Sequence, residues 1–468
     1  MRSLAVAVVT LLACFAAACS NKPEASPTAT VAVSPTGTAT LAATLTRPTL
    51  APTLSGAAPP ATVQPRSERE LGSPTGAVDT FSEPGFQPLP GARAVFGRLG
   101  AALYRIETPA QWNGDLVLYA HGVRLENNVL TVSNPPAALR KALIDGGFAW
   151  AASSYSENQY VPGIGADDTL ALADHFTASI GAPKRTYIVG ESMGGHVLTL
   201  LMEQFPARFD GGLALCGAVG GEEEIDFLIS WAMVAEYTSG VKLPLEAGSN
   251  LTEVLIRQVA PALGTPDAPT ARGKQFLSIV RELTGGARPF FIEGMRERYT
   301  LNFGLLLIDP ARKSLPAAAA TNAGAVYAIA PGLGVTSAEV NAAVRRLAAD
   351  PAARDAHAHA DAVPTSGRIE RPVLSLHTTG DLFVPISLEV EYRRKVEAAG
   401  RGDLLVQRAI RAPGHCQFSD AELTAAWSDL AAWVRDGKKP AGDDVLGDLA
   451  NIGRTFTNPL RPGDPGTP

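Results

Sequence analysis

Six short apolar runs, separated by amphipathic stretches, constrain the fold of this chain more than anything else in it. They read DLVLYAHG (115–122), FAWAASSY (148–155), RTYIVG (185–190), GGLALCGAVG (211–220), RPVLSLHTTGD (371–381) and DLLVQRAI (403–410). The central runs are almost continuously apolar, as expected of strands buried on both faces. Between them, PPAALRKALIDGG, ADDTLALADHFTASIG and MGGHVLTLLMEQFP have helical spacing and end in glycine or proline. Such alternation predicts an α/β fold, a mostly parallel sheet flanked by helices. ARAVFGRLGAALYRIE (92–107) reads as a β-hairpin ahead of it. A last helix should open at Ser419, with Glu422 placed for a capping box, and end at Gly437.

The rhythm stops at residue 221 and returns at 371. Residues 221–365 hold amphipathic stretches such as EEEIDFLISWAMVAEY and SAEVNAAVRRLAADPAARDAHA, which predict a mostly helical insertion. The core is therefore expected in two parts, 92–220 and 371–440, with 441–468 as a C-terminal tail.

Gly190-Glu191-Ser192-Met193-Gly194 fits G-x-S-x-G. The pattern is weak alone, but here an apolar strand precedes it and a helical run follows. A sharp strand-to-helix turn there holds the serine up at the strand's carboxyl end. A serine hydroxyl needs a base, and the base needs an orienting acid. Asp381 follows one buried strand and His415 follows the next, so Ser, acid and His come in that order. His196 lies inside the helix leaving the turn and should point away from the serine. The alternative acids are Asp226 and Glu222, Glu223 and Glu224, after the sixth strand. Glu191 occupies the variable position and has no assigned role.

With these residues in place, the chain resembles serine hydrolases of the α/β-hydrolase superfamily, in their esterase and prolyl-oligopeptidase-like branches. The resemblance covers 92–220 and 371–437. It implies an eight-stranded-type sheet with the insertion as a cap between strands six and seven. It also implies Ser192 as nucleophile, His415 as general base and acid, and Asp381 as orienter. The oxyanion hole it implies takes one backbone N–H from Met193 and a second from Gly122 or Val123. Trp231, Met233, Phe290, Phe291, Tyr299 and Phe303 either line a pocket or form the cap's own core. His121 and His377 read as structural, and His175 as a packed helix residue. His357 and His359 lack ligand-spaced partners, so neither a metal nor a cofactor is expected. The histidine loop must reach back towards Ser192, which brings Cys416 towards Cys216. A disulfide is expected there, the alternative being two buried thiols.

The first 19 residues read as a secretory signal, with Arg2, an apolar stretch and small residues before Cys19. The cysteine placement resembles a bacterial lipoprotein box, with Cys19 as the acylation site and Cys14 as a competitor. Residues 20–80 follow as a tether rich in Pro, Thr and Ala, where Arg47 is the only charge from Ala25 to Pro65. Such a segment buries too little apolar surface to offset its ordering entropy. An exported protein, lipid-anchored on the extracytoplasmic face of a membrane, is the expectation. A net charge of −6 without a basic run argues against a nucleic-acid partner. The expected reaction is hydrolysis of small carboxylic esters through an acyl-enzyme. An exopeptidase or acyltransferase on the same residues, or a non-catalytic tethered binding protein, are the alternatives.

Overall fold

The computed structural model describes residues 85–124, 129–245, 249–298, 319–354 and 363–459. The signal and tether, Tyr299, Phe303, His357 and His359 lie outside these, as do residues 460–468. Among the described residues no helix is long and apolar enough to cross a membrane.

Eight strands form one sheet: β1 (Ala92–Leu99), β2 (Ala102–Pro109), β3 (Asp115–Ala120), β4 (Ala149–Ser153), β5 (Arg185–Glu191), β6 (Gly211–Leu215), β7 (Val373–Thr378) and β8 (Leu405–Ile410). Their order is β1-β2-β4-β3-β5-β6-β7-β8. The β2 strand pairs antiparallel with both β1 and β4, and every later pairing is parallel. This is the α/β-hydrolase fold.

The continuous apolar runs are explained by helices on both faces. Along β3, Leu116, Leu118 and Ala120 point into one cluster with Phe176, Val197 and Leu201. Val117 and Tyr119 point into the other, with Leu139, Leu143, Trp427 and Leu430. The first face is covered by α2 (Pro162–Ser179) and α3 (Met193–Gln204). The second is covered by α1 (Ala137–Asp145) and α11 (Asp420–Asp436). Ser419 and Glu422 form the capping box of α11, and Gly437 ends it in the left-handed conformation at φ 69°. Each fully buried Leu or Val contributes about 1.5–3 kcal/mol, so the strand ends are held rigidly.

Between β6 and β7 the chain forms α4 (Glu223–Ser239), α5 (Leu251–Val254), α6 (Ala260–Leu263), α7 (Ala271–Leu283), α8 (Phe291–Arg298) and α9 (Ser337–Ala343). A five-residue π-helix, Leu255–Val259, joins α5 to α6. Helix α9 is shorter than its sequence suggests, because tertiary pairing beyond Val344 overrides helical spacing. Arg345 pairs with Glu236, and Leu347 exchanges hydrogen bonds with Asn322. From Val363 the chain returns to β7 without regular secondary structure.

Residues 441–459, read from sequence as the start of a tail, pack against the core instead. Val445, Leu449 and Ile452 are buried with Ala409, with Ile386 just before α10 (Ser387–Ala398), and with Val390 within it. The Arg411 side chain donates to the Ile452 carbonyl at 2.8 Å.

Candidate active site

Parallel register brings the reactive loops together. Gly190 is the register partner of Ala120 in β3 and of Ala214 in β6. The residues that follow, near His121, Ser192 and Cys216, therefore leave the sheet side by side. Ser192 turns from β5 into α3 with φ 57°, ψ −122°, a conformation L-residues rarely adopt. The turn needs a glycine at 194: a Cβ there would lie 2.0 Å from the Ala120 carbonyl oxygen.

Asp381 and His415 arrive from the loops after β7 and β8. His415 Nε2 lies 2.9 Å from Ser192 Oγ, and His415 Nδ1 lies 2.6 Å from Asp381 Oδ2. Asp381 is fully buried, and its Oδ1 accepts from the backbone N–H groups of Phe383 (2.9 Å) and Val384 (3.2 Å). Burial alone would raise its pKa. The charge and hydrogen bond of His415, with help from His377, outweigh that and hold it below the ordinary carboxylate value. An ionised Asp381 keeps the imidazole proton on Nδ1. The Nε2 lone pair then faces the serine hydroxyl, which is the arrangement of a general base. The Phe383 ring stands 5.6 Å from the imidazole and shields one side of it.

The oxyanion candidates also sit at the serine. A Cβ on Gly122 would fall 2.9 Å from Ser192 Cβ and 3.3 Å from Oγ, so only glycine allows this approach. Among the described residues, neither the Met193 nor the Val123 backbone N–H has a hydrogen-bond partner. His121 orients this loop: its ring nitrogens lie 2.7 Å from the Gly122 carbonyl and 3.1 Å from the Ser154 carbonyl. Burial, reinforced by Arg124, lowers its pKa to about 4, so it carries one proton and no charge.

The other histidines sit apart from the serine hydroxyl. His196 bonds the Val363 carbonyl (2.7 Å) and the Tyr160 hydroxyl (3.1 Å), and burial lowers its pKa to about 4. His377 is buried, 2.7 Å from the Val384 carbonyl and 3.2 Å from Glu389. His175 packs on the Tyr104 ring. Glu191 gains a role: its carboxylate accepts from the Tyr119 hydroxyl at 2.9 Å. Burial raises its pKa, against the Tyr119 hydrogen bond and the nearby His415.

The alternative acids do not reach His415. Asp226 pairs with Arg354, while Glu222 and Glu223 share Lys395. Glu224 is 3 % exposed and its Oε2 has no hydrogen-bond partner. Burial, then the charge on Asp381, pushes its pKa well above the ordinary value. The folded chain therefore holds Glu224 neutral where the unfolded chain ionises it. The stability this costs is absent in acid and appears as pH rises above the ordinary glutamate pKa. Glu224→Gln should melt higher than wild type at pH 8, with a smaller difference at pH 5, measured by paired thermal melts. An equal difference at both pH values would contradict a neutral Glu224.

A disulfide joins Cys216 to Cys416, with Cα atoms 5.2 Å apart, and ties the residue after β6 to the one after His415. The cap presses on the same loops. A Cβ on Gly294 of α8 would lie 1.9 Å from the Gly380 carbonyl oxygen. Arg288, also buried, donates from Nε to the Thr379 carbonyl at 2.7 Å. Burial lowers its pKa to about 9, against the pull of Asp381 and Glu282. Nothing in the sequence around Arg288 or Phe383 announces these contacts. Of the aromatic candidates, Trp231 stands edge-on to Phe227 and Phe276, so it belongs to the cap's own core. Met233 and Phe291 are buried in the large cluster, and Phe290 is half-buried with φ 63°.

No family model matches the chain. It is 24% identical over 420 residues to an o-phthalyl amidase of Xanthobacter agilis, covering 76% of this chain and 90% of that protein. Among solved structures it is similar to feruloyl esterase B from Aspergillus oryzae, with a TM-score of 0.42, 14% identity, and 77% and 84% of the two chains covered. It is also similar to a puromycin hydrolase, with a TM-score of 0.37, 13% identity, and 80% and 41% covered.

Proposed function

We propose that this chain, a hydrolase built on the α/β-hydrolase fold, cleaves small carboxylic esters through a serine acyl-enzyme. The observation that carries this reading is the unbroken hydrogen-bond chain from Asp381 through His415 to Ser192, ending on a serine in strained backbone geometry. Ser192 Oγ attacks the ester carbonyl carbon as its proton passes to His415 Nε2. The carbonyl oxygen takes the negative charge and is held by the Met193 N–H and that of Gly122 or Val123. Collapse expels the alkoxide, which leaves as the alcohol with the proton from His415. Water then gives a proton to His415 and attacks the acyl-enzyme, and the acid departs as Ser192 is restored. Asp381 stays ionised throughout and stabilises the imidazolium.

Amide hydrolysis is the second reading. The likeness to an amidase over nine-tenths of that protein's length favours it, and the catalytic steps are the same with an amine as leaving group. For location, we place the protein outside the cytoplasm, acylated at Cys19 and tethered by residues 20–80. The apolar start and the cysteine pair, suited to an oxidising compartment, support this.

A fluorophosphonate probe tests the chemistry. It should modify one peptide, the one containing Ser192, and block turnover of p-nitrophenyl esters in proportion. Modification elsewhere, or full labelling with turnover intact, rules the reading out. Palmitate incorporation that vanishes in Cys19→Ala tests the anchor.

A further inference from the structure

We propose that Glu224 is a specificity-determining residue: as a neutral carboxylic acid it donates a hydrogen bond to an uncharged acceptor oxygen in the acyl part of the substrate. This rests on the hydrolase reading above. Its position follows from the backbone. The Ser192 carbonyl accepts from Ala218 N–H, the Ala218 carbonyl from Gly221 N–H, and the Gly221 carbonyl from Glu224 N–H. Two successive turns thus lead from the nucleophile to the first turn of α4. Ala218 shares a small apolar cluster with Val384 and Leu388, and Phe383 packs against it, so this segment runs beside the chain that follows Asp381. Glu224 lies in that first turn, where the segment reaches the cap.

The neighbouring acids make the contrast. Lys395 takes Glu222 and Glu223, and Arg354 takes Asp226. Four acidic side chains occupy five positions, and the protein supplies cations to three of them. Glu224, the most buried of the group, is given none. A buried polar group left without a partner is costly, and native proteins retain such groups where something else satisfies them. The surroundings select the chemistry. Burial, and after it the negative charge of Asp381, favour the protonated form of Glu224. A substrate carboxylate here would face the Asp381 charge. A carbonyl or ether oxygen would not, and it can accept the proton that Glu224 keeps. Esters or amides whose acyl group carries a second, uncharged oxygen are the class this site takes.

The test uses the full chain and p-nitrophenyl esters in oxygen–carbon pairs. Methoxyacetate is set against butanoate, 3-methoxypropanoate against pentanoate, and 4-oxopentanoate against 4-methylpentanoate. Wild type should prefer the oxygenated member of at least one pair by about 10-fold or more in kcat/KM. Glu224→Leu should erase that ratio, whereas Glu224→Gln, which keeps an N–H donor of the same shape, should retain most of it. The ratio is read within each variant, so a partly folded preparation does not distort it. Probe labelling of Ser192 is followed in parallel. An unlabelled wild type sinks the hydrolase reading itself. A labelled wild type without an oxygen preference, or a ratio that survives in Glu224→Leu, overturns the role of Glu224.

Discussion

Asp381→Asn should lower kcat on a simple p-nitrophenyl ester by about 10⁴-fold while the chain stays folded. The reason lies in what holds the carboxylate. Oδ1 accepts from two backbone N–H groups, those of Phe383 and Val384. An asparagine in the same place must turn its carbonyl oxygen to those donors. Its NH₂ group then faces His415 Nδ1, where Asp381 presents Oδ2. A donor there forces Nδ1 to accept, which moves the imidazole proton to Nε2. The lone pair that should receive the Ser192 proton is lost, although nothing has moved. The steady-state rate, with a melting curve as control, measures this. A drop of less than about tenfold would show that another acid orients His415.

Removing the disulfide should have the next largest effect. The bridge closes a separation of 200 residues, and a loop of that size corresponds to roughly 5 kcal/mol of lost chain entropy in the unfolded state. Delivered stabilisation typically falls between about 2 and 4 kcal/mol. Cys216→Ala with Cys416→Ala should therefore lower Tm by roughly 3–5 °C in a chain of this size. Activity should fall further than stability explains. Cys416 is the residue after His415, so the bridge also fixes the imidazole over Ser192. A displacement of about 1 Å in a catalytic group can cost 10²-fold, and a loss of at least tenfold in kcat well below the melting temperature is expected. Wild type treated with a reductant should reproduce it. A reduced enzyme with unchanged kcat would show that the bridge serves stability alone.

The sheet and the reactive loops were legible because their physics is local and periodic. A strand covered on both faces must be apolar throughout, so β3 to β8 announced themselves. The elbow needs small residues around a serine at a strand end, which YIVGESMGG supplies. Asp381 and His415 follow from strand ends in chain order. The sheet boundaries were less legible: GGLALCGAVG reads as one strand, but it ends at Leu215, where Cys216 turns to φ 44° to reach its partner. The cap was legible only as helical. Its contacts with the core depend on side chains far apart in sequence, such as Arg345 with Glu236 or Arg288 with the Thr379 carbonyl. No period or spacing encodes those. The same holds for Glu224, which looks like one acid in a run of acids until its neighbours' cations are located.

The close approach of Gly294 to the Gly380 carbonyl bears on how such an enzyme can be re-engineered. Backbone from the cap, from the acid loop and from the histidine loop meets there without room for a side chain, since a Cβ on Gly380 would lie 2.6 Å from Pro413 Cα. Cap and reactive loops are therefore not separable modules in this chain. A cap grafted from a relative would have to carry the 288–294 segment in register, or it would shift Asp381 and His415. Trimming the insertion to a minimal core would remove one wall of the joint that keeps the acid and the base in line.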